Sequence, residues 1–194
     1  MAHSDTDTFH HLQPKEHAKM RALILYAAER YAADPSFGSV KLNKFLFHAD
    51  FSAYAQLGDS LTRYEYRAQR EGPTLYAMLP VLNEMQADGR IDRERIEDWT
   101  FPQDRIEALE PPNMTLFSDS ERQIIDASIE RLRGMAADEV SDAAHRFPGW
   151  VHAWERGKGS PIPYESVFWE DAPVLEEWEQ EQAKDLAAAL GISF

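Results

Sequence analysis

The chain has 194 residues, of which 43% are hydrophobic and 28% charged, the balance of one globular domain with a buried core. It contains no cysteine, which removes disulfide frameworks, cysteine-ligated metal sites and thiol nucleophiles together. Its net charge of −14 disfavours general binding to nucleic acid.

The first twelve residues lack the apolar segment of a secretory signal, and no run is apolar enough to span a membrane, so a cytoplasmic protein is expected. Residues 1–13 are polar and read as a flexible tail. Pro14 then opens a helix whose apolar positions Met20, Leu23, Ile24, Ala27 and Tyr31 recur at helical spacing, and Asp34-Pro35 ends it. Ser39 is the expected N-cap of a second helix, apolar on nearly every side through Leu42, Phe45, Leu46, Phe47 and Phe51. Such a helix belongs at the centre of a core, and Gly58 stops it.

Tyr64 and Tyr66 alternate with charged residues and predict a short strand over 61–68. Gly72-Pro73-Thr74 reads as a turn launching a third helix, with Thr74 as cap, a stripe of Leu75, Met78, Leu79, Leu82 and Met85, and a kink at Pro80. Two strands over 91–99 and 104–109 are expected to join the Tyr64 strand in one small antiparallel, wing-like sheet. Ser118 and Glu121 have capping-box spacing ahead of Ile124, Ile125, Ile129 and Leu132. A shorter helix is expected over 137–146, stopped by Pro148, followed by a loop over 157–163. A last amphipathic helix is expected within 171–194. Residues 165–194 hold eight acidic residues and one lysine, half of the net charge. The fold class is therefore mainly α: one helical domain over 14–170 with a small sheet, and an acidic helix appended.

Three blocks carry the functional argument. Lys41 and Lys44 share a flank near a helix N-terminus, where cations oppose the helix dipole, so they are expected either to face an anionic surface or to pair internally with Glu71 or Asp50. Arg67 and Arg70 precede Gly72-Pro73. His145 precedes Trp150 and Trp154, which lie one helical turn apart if that stretch is helical. No zincin spacing links His10, His11 and His17, and no Gly-x-Ser-x-Gly occurs, so no metal, cofactor or catalytic set is expected.

In their order, Lys41-Leu42-Asn43-Lys44-Phe45-Leu46-Phe47, then Arg70-Glu71-Gly72-Pro73, then His145-Arg146-Phe147-Pro148-Gly149-Trp150 resemble the Panacea (SocA-like) antitoxin domain over about residues 15–170. Phe47 stands where that family usually has Tyr, and Ala144 where it has Thr. The resemblance implies an antitoxin that binds a cognate toxin encoded by the adjacent gene. Lys41, Lys44, Arg67, Arg70, Gly72, Pro73, His145, Trp150 and Trp154 are its expected contact residues. A phage-associated or proteolytic adaptor, a small hydrolase or transferase, and a winged DNA-binding regulator are the alternatives.

Overall fold

The computed structural model describes residues 14–96, 103–135, 139 and 144–169. It is mainly helical, with two small antiparallel sheets. Helix α1 (Pro14–Arg30) buries Met20, Leu23, Ile24 and Ala27, as their spacing predicts. Helix α2 (Ser39–Leu57) is the hub. Leu42, Phe45, Leu46, Phe47, Ala49, Phe51 and Ala53 are all buried on it, because neighbours pack on several sides. Gly58 ends it with φ 77°, a left-handed conformation that glycine adopts without a Cβ penalty. The N-cap is Gly38 rather than Ser39; the Ser39 hydroxyl instead donates to Asp104 at 3.3 Å.

Strand β1 (Tyr66–Gln69) starts later than expected, since Arg63 has φ 59° and breaks the extended run. It pairs antiparallel with β2 (Gly72–Leu75) on one side and with β5 (Pro161–Ile162) on the other. Gly72-Pro73-Thr74 therefore forms a strand and does not launch a helix. Helix α3 (Met78–Ala87) begins three residues later, which puts Pro80 in its first turn. There the missing N–H has no intrahelical partner to lose, so no kink is required. The later start leaves Leu79 exposed and turns Val81, Leu82 and Met85 inward.

Strands β3 (Ile91–Ile96) and β4 (Gln103–Ala108) pair only with each other. The expected single sheet does not form because both edges of β1 are already taken. Ile91 and Ile106 anchor this hairpin, with β3 beside α3 and β4 beside α1. Helix α4 (Asp119–Leu132) carries the expected capping box and packs on α2 through Ile124, Ile125, Ser128, Ile129 and Leu132. Pro148 opens helix α5 (Pro148–Glu155) at its first position, where proline's fixed φ fits. The expected helix over 137–146 lies largely outside the described residues, with Ala144 and His145 helical. The expected N-terminal tail and acidic C-terminal helix lie outside them altogether. No helix among the described residues is long and apolar enough to cross a membrane.

One polar group sits at the centre of this core. Asp50 on α2 is completely buried and accepts hydrogen bonds from the Thr62 N–H (2.9 Å), the Thr62 hydroxyl (2.6 Å) and the Tyr66 hydroxyl (2.9 Å). Burial pushes its carboxyl up to about 6, although these donors pull the other way. The folded value exceeds the ordinary 3.8, so folding favours the protonated form. Its stabilising contribution is full below about pH 4 and is lost as pH rises through about 6. Asn at this position keeps an acceptor for Thr62 and cannot titrate. Unfolding titrations of the wild type and Asp50→Asn should give a stability difference, wild type minus variant, that falls between those limits, by up to about 3 kcal/mol. A difference that rises over this window contradicts the assignment.

Candidate functional site

The β1–β2 hairpin brings the three sequence blocks together. Its register pairs Gln69 with Gly72, leaving Arg70 and Glu71 as a two-residue connection. Arg63 is the only non-glycine with positive φ among the described residues, so neither connecting residue takes the mirror-image turn conformation. The positive φ falls on Gly72, at 98°. Carbonyls at the tip of such a turn project from the sheet and need donors from elsewhere.

Three consecutive carbonyls receive them from separate parts of the chain. The Trp150 indole N–H donates to the Gln69 carbonyl at 3.0 Å. His145 Nε2 lies 3.0 Å from the Arg70 carbonyl; a carbonyl only accepts, so Nε2 carries the proton. The Lys44 ammonium donates to the Glu71 carbonyl. The turn is thus clamped by α2 on one side and by the segment leading into α5 on the other. His145 and Trp150 also stack, with ring centroids 4.6 Å apart, and Trp150 stacks on Trp154 at 5.4 Å.

A fourth contact was not foreseen. The Asn43 side chain donates to the Pro73 carbonyl and accepts from the Leu75 N–H, both at 2.8 Å. In effect the amide substitutes for a neighbouring strand along the outer edge of β2. Pro73 is tolerated because β2 is an edge strand. The clue was an asparagine between Leu42 and Phe45 on the buried hub helix, where a polar group must find a partner.

Burial changes the meaning of the lysines. Lys41 and Lys44 are 0% and 2% exposed, so neither presents a solvated flank. They also part company. Lys41 donates to Asp34 Oδ2 at 2.6 Å and to the Met135 carbonyl at 2.8 Å, tying the α1–α2 connection to the chain just beyond α4. Against desolvation that pushes it up, bonds from Lys41 and Ser36 hold the Asp34 carboxyl below its usual range. Lys44 alone reaches the turn. Burial lowers its ammonium to about 8, with Glu71 opposing the shift. The internal pairing with Glu71 is realised through the backbone carbonyl, while Asp50 serves Thr62 and Tyr66.

The remaining expected contact residues lie on or beneath the outer surface. Arg67 pairs with Glu65 and lies over the Tyr76 ring, its guanidinium carbon 3.4 Å from the centroid. Arg70 is exposed, Gly72 and Pro73 are buried, and Trp154 is 36% exposed on α5. Gly149 allows the start of α5 to approach Ser166, since a Cβ there would fall against the Ser166 hydroxyl. Among the described residues no group of three His, Asp or Glu side chains could hold a metal ion.

The family model of the antitoxin SocA-like Panacea domain matches residues 42–151. The chain belongs to that family. No curated protein matches the chain. The matched span runs from the Asn43–Lys44 turn of α2 through the hairpin to the first residues of α5, the segments that meet at the clamped turn.

Gly72 is the tightest point of this arrangement. A Cβ there would lie 2.6 Å from Lys44 Nζ and 3.4 Å from the His145 ring, on a backbone with φ +98°. Gly72→Ala should cost about 1–2 kcal/mol from the backbone alone, and more from displacing the ammonium. Urea unfolding of the two proteins measures the cost. A loss under about 0.5 kcal/mol shows the turn to be loosely held.

Proposed function

We propose that this protein is an antitoxin that neutralises a cognate toxin by direct protein contact, through the surface that α5 shares with the hairpin tip. Membership of the antitoxin-like family supports the reading. The observation that carries it further is the clustering of exposed Trp154, exposed Arg70 and the Arg67–Tyr76 stack around a turn that four separate side chains hold rigid. Trp, Tyr and Arg dominate binding hot spots because each brings large area with few rotatable bonds, and a rigid platform lowers the entropy lost on association.

In this reading the nine expected residues divide their labour. Trp154, Arg67 and Arg70 touch the partner. Lys44, Gly72, Pro73, His145 and Trp150 hold the platform, and Lys41 braces α2 behind it. The net charge of −14 suits a basic toxin, whose approach would be accelerated by long-range attraction. The toxin is encoded by the adjacent gene, and the pair meets in the cytoplasm.

Co-expression with that neighbour-encoded protein tests the proposal. Growth arrested by the neighbour alone should be restored by the pair, and the two should co-purify. In the purified system Trp154→Ala should weaken binding at least about tenfold, or 1.4 kcal/mol, with little change in melting temperature. A toxin that stays lethal beside soluble partner protein contradicts the proposal. Unchanged affinity in Trp154→Ala moves the interface away from α5.

A further inference from the structure

A cleft of about 500 Å³ opens between α2, the end of α4 and the segment entering α5. Phe47, Leu132, Met135 and Phe147 form apolar walls, and Arg131 and Arg146 stand at its rim. Both arginines are exposed. Neither meets a carboxylate at ion-pair distance among the described residues, unlike Arg21, Arg30, Arg90, Arg122 and Arg133. No Asp or Glu lines the cleft among the described residues either, in a chain with 34 acidic and 20 basic residues. An apolar pocket flanked by guanidiniums that meet no carboxylate among the described residues suits one kind of occupant: a large apolar side chain carried between carboxylates.

The chain contains that occupant. Residues 174–190 place Leu175, Trp178, Leu186 and Leu190 at helical spacing among Glu176, Glu177, Glu179, Glu181 and Asp185. The segment also starts close by. Trp169 packs on His152 of α5, ring centroids 5.4 Å apart, and His152 lies one helical turn from Pro148 at the cleft wall. Residues 170–173 can extend about 13 Å, more than twice the roughly 6 Å rise of that turn. A short tether of this kind gives an effective concentration in the millimolar range, so the segment outcompetes any free partner of similar intrinsic affinity. A lone amphipathic segment of this length is unstable in water and needs a surface for its apolar side.

We infer that the acidic segment 174–190 seats intramolecularly in this cleft, with Trp178 inserted between the apolar walls and its flanking glutamates facing Arg131 and Arg146. The inference concerns the free protein and stands or falls independently of the antitoxin reading. His48 borders the cleft and donates no charge at neutral pH. Burial, aided by Arg131, pushes its imidazole down to about 4. The attraction therefore rests mainly on the two guanidiniums and weakens with salt.

The absence of cysteine makes the full-length chain suitable for a single spin label. A nitroxide on Gln180→Cys, two positions from Trp178 and so on the other side of a helix, is read through amide signals of the isotope-labelled protein. Amides of residues 131–135 and 146–148 should lose intensity, and a label reduced to its diamagnetic form should restore it. Trp178→Ala should restore those signals with the label intact. Arg131→Glu with Arg146→Glu should do the same while the remaining spectrum stays unchanged. Broadening confined to other parts of the surface, or no broadening, overturns the inference. So does broadening in a mixture of unlabelled isotopic protein with spin-labelled natural-abundance protein, which would mean a second copy fills the cleft. Persistence of the broadening in both the Trp178 and the arginine variants overturns it as well.

Discussion

Three consecutive backbone carbonyls at the tip of one hairpin each take a donor from outside their own sheet. The protein satisfies them with donors brought from α2 and from the segment entering α5. A buried carbonyl that loses its donor costs about 1–3 kcal/mol, so the side chains that reach this turn fix its position most firmly where they exclude water. That requirement links residues almost 110 positions apart in the chain. It explains why a lysine, a Gly-Pro and a His with a Trp occur as one set: each is a necessary part of the same clamp.

The clamp also accounts for the cost of burying lysines in a protein with a large negative charge. An ammonium removed from water needs acceptors that replace part of its hydration, and where they are few its charged form is disfavoured, as at Lys44. Lys41 finds a carboxylate and a carbonyl, and Lys44 finds a carbonyl at the tip of the hairpin. Both act as cross-links between elements that hydrophobic packing alone would leave free to slide. Asn43 does the same for the edge of β2, and Asp50 for the loop that leads into β1. All four sit on α2, Lys41, Asn43 and Lys44 within one turn and Asp50 almost two turns further on. The hub helix thus combines an apolar surface that holds the core with buried polar side chains that fix the segments packed around it.

Much of this was legible from residues alone. The periodicity of α1 and α2, the Gly58 stop, the capping box of α4 and the β3–β4 hairpin all rest on local chemistry, and local chemistry is what a sequence displays. Gly72-Pro73 misled because both residues usually mark turns; only the tertiary edge position of β2 makes a proline acceptable in a strand. The lysines misled for a related reason. Their spacing shows that they share a helix flank, but whether that flank meets water or a carbonyl depends on residues 27 and 94 positions away. The convergence of the three blocks was visible only as a family resemblance, and its physical cause, the row of carbonyls, lies in the backbone, where no side chain reports it. Arg131 and Arg146 were invisible as a pair because nothing in the sequence brings the end of α4 against the start of α5.

The central claim is that the separate blocks form one cooperative clamp. A double-mutant cycle tests it most directly. Lys44→Met keeps the aliphatic stem and removes the donor to Glu71; Trp150→Phe keeps an aromatic ring and removes the donor to Gln69. These residues sit on different elements and bond different carbonyls of one turn. Once either donor is lost the turn loosens, and the other donor has less to hold. Urea unfolding of the wild type, both single variants and the double variant should give a coupling energy of about 0.5–3 kcal/mol, the double variant losing less than the sum of the singles. Strict additivity would mean that the two donors act alone and that the clamp is not a unit.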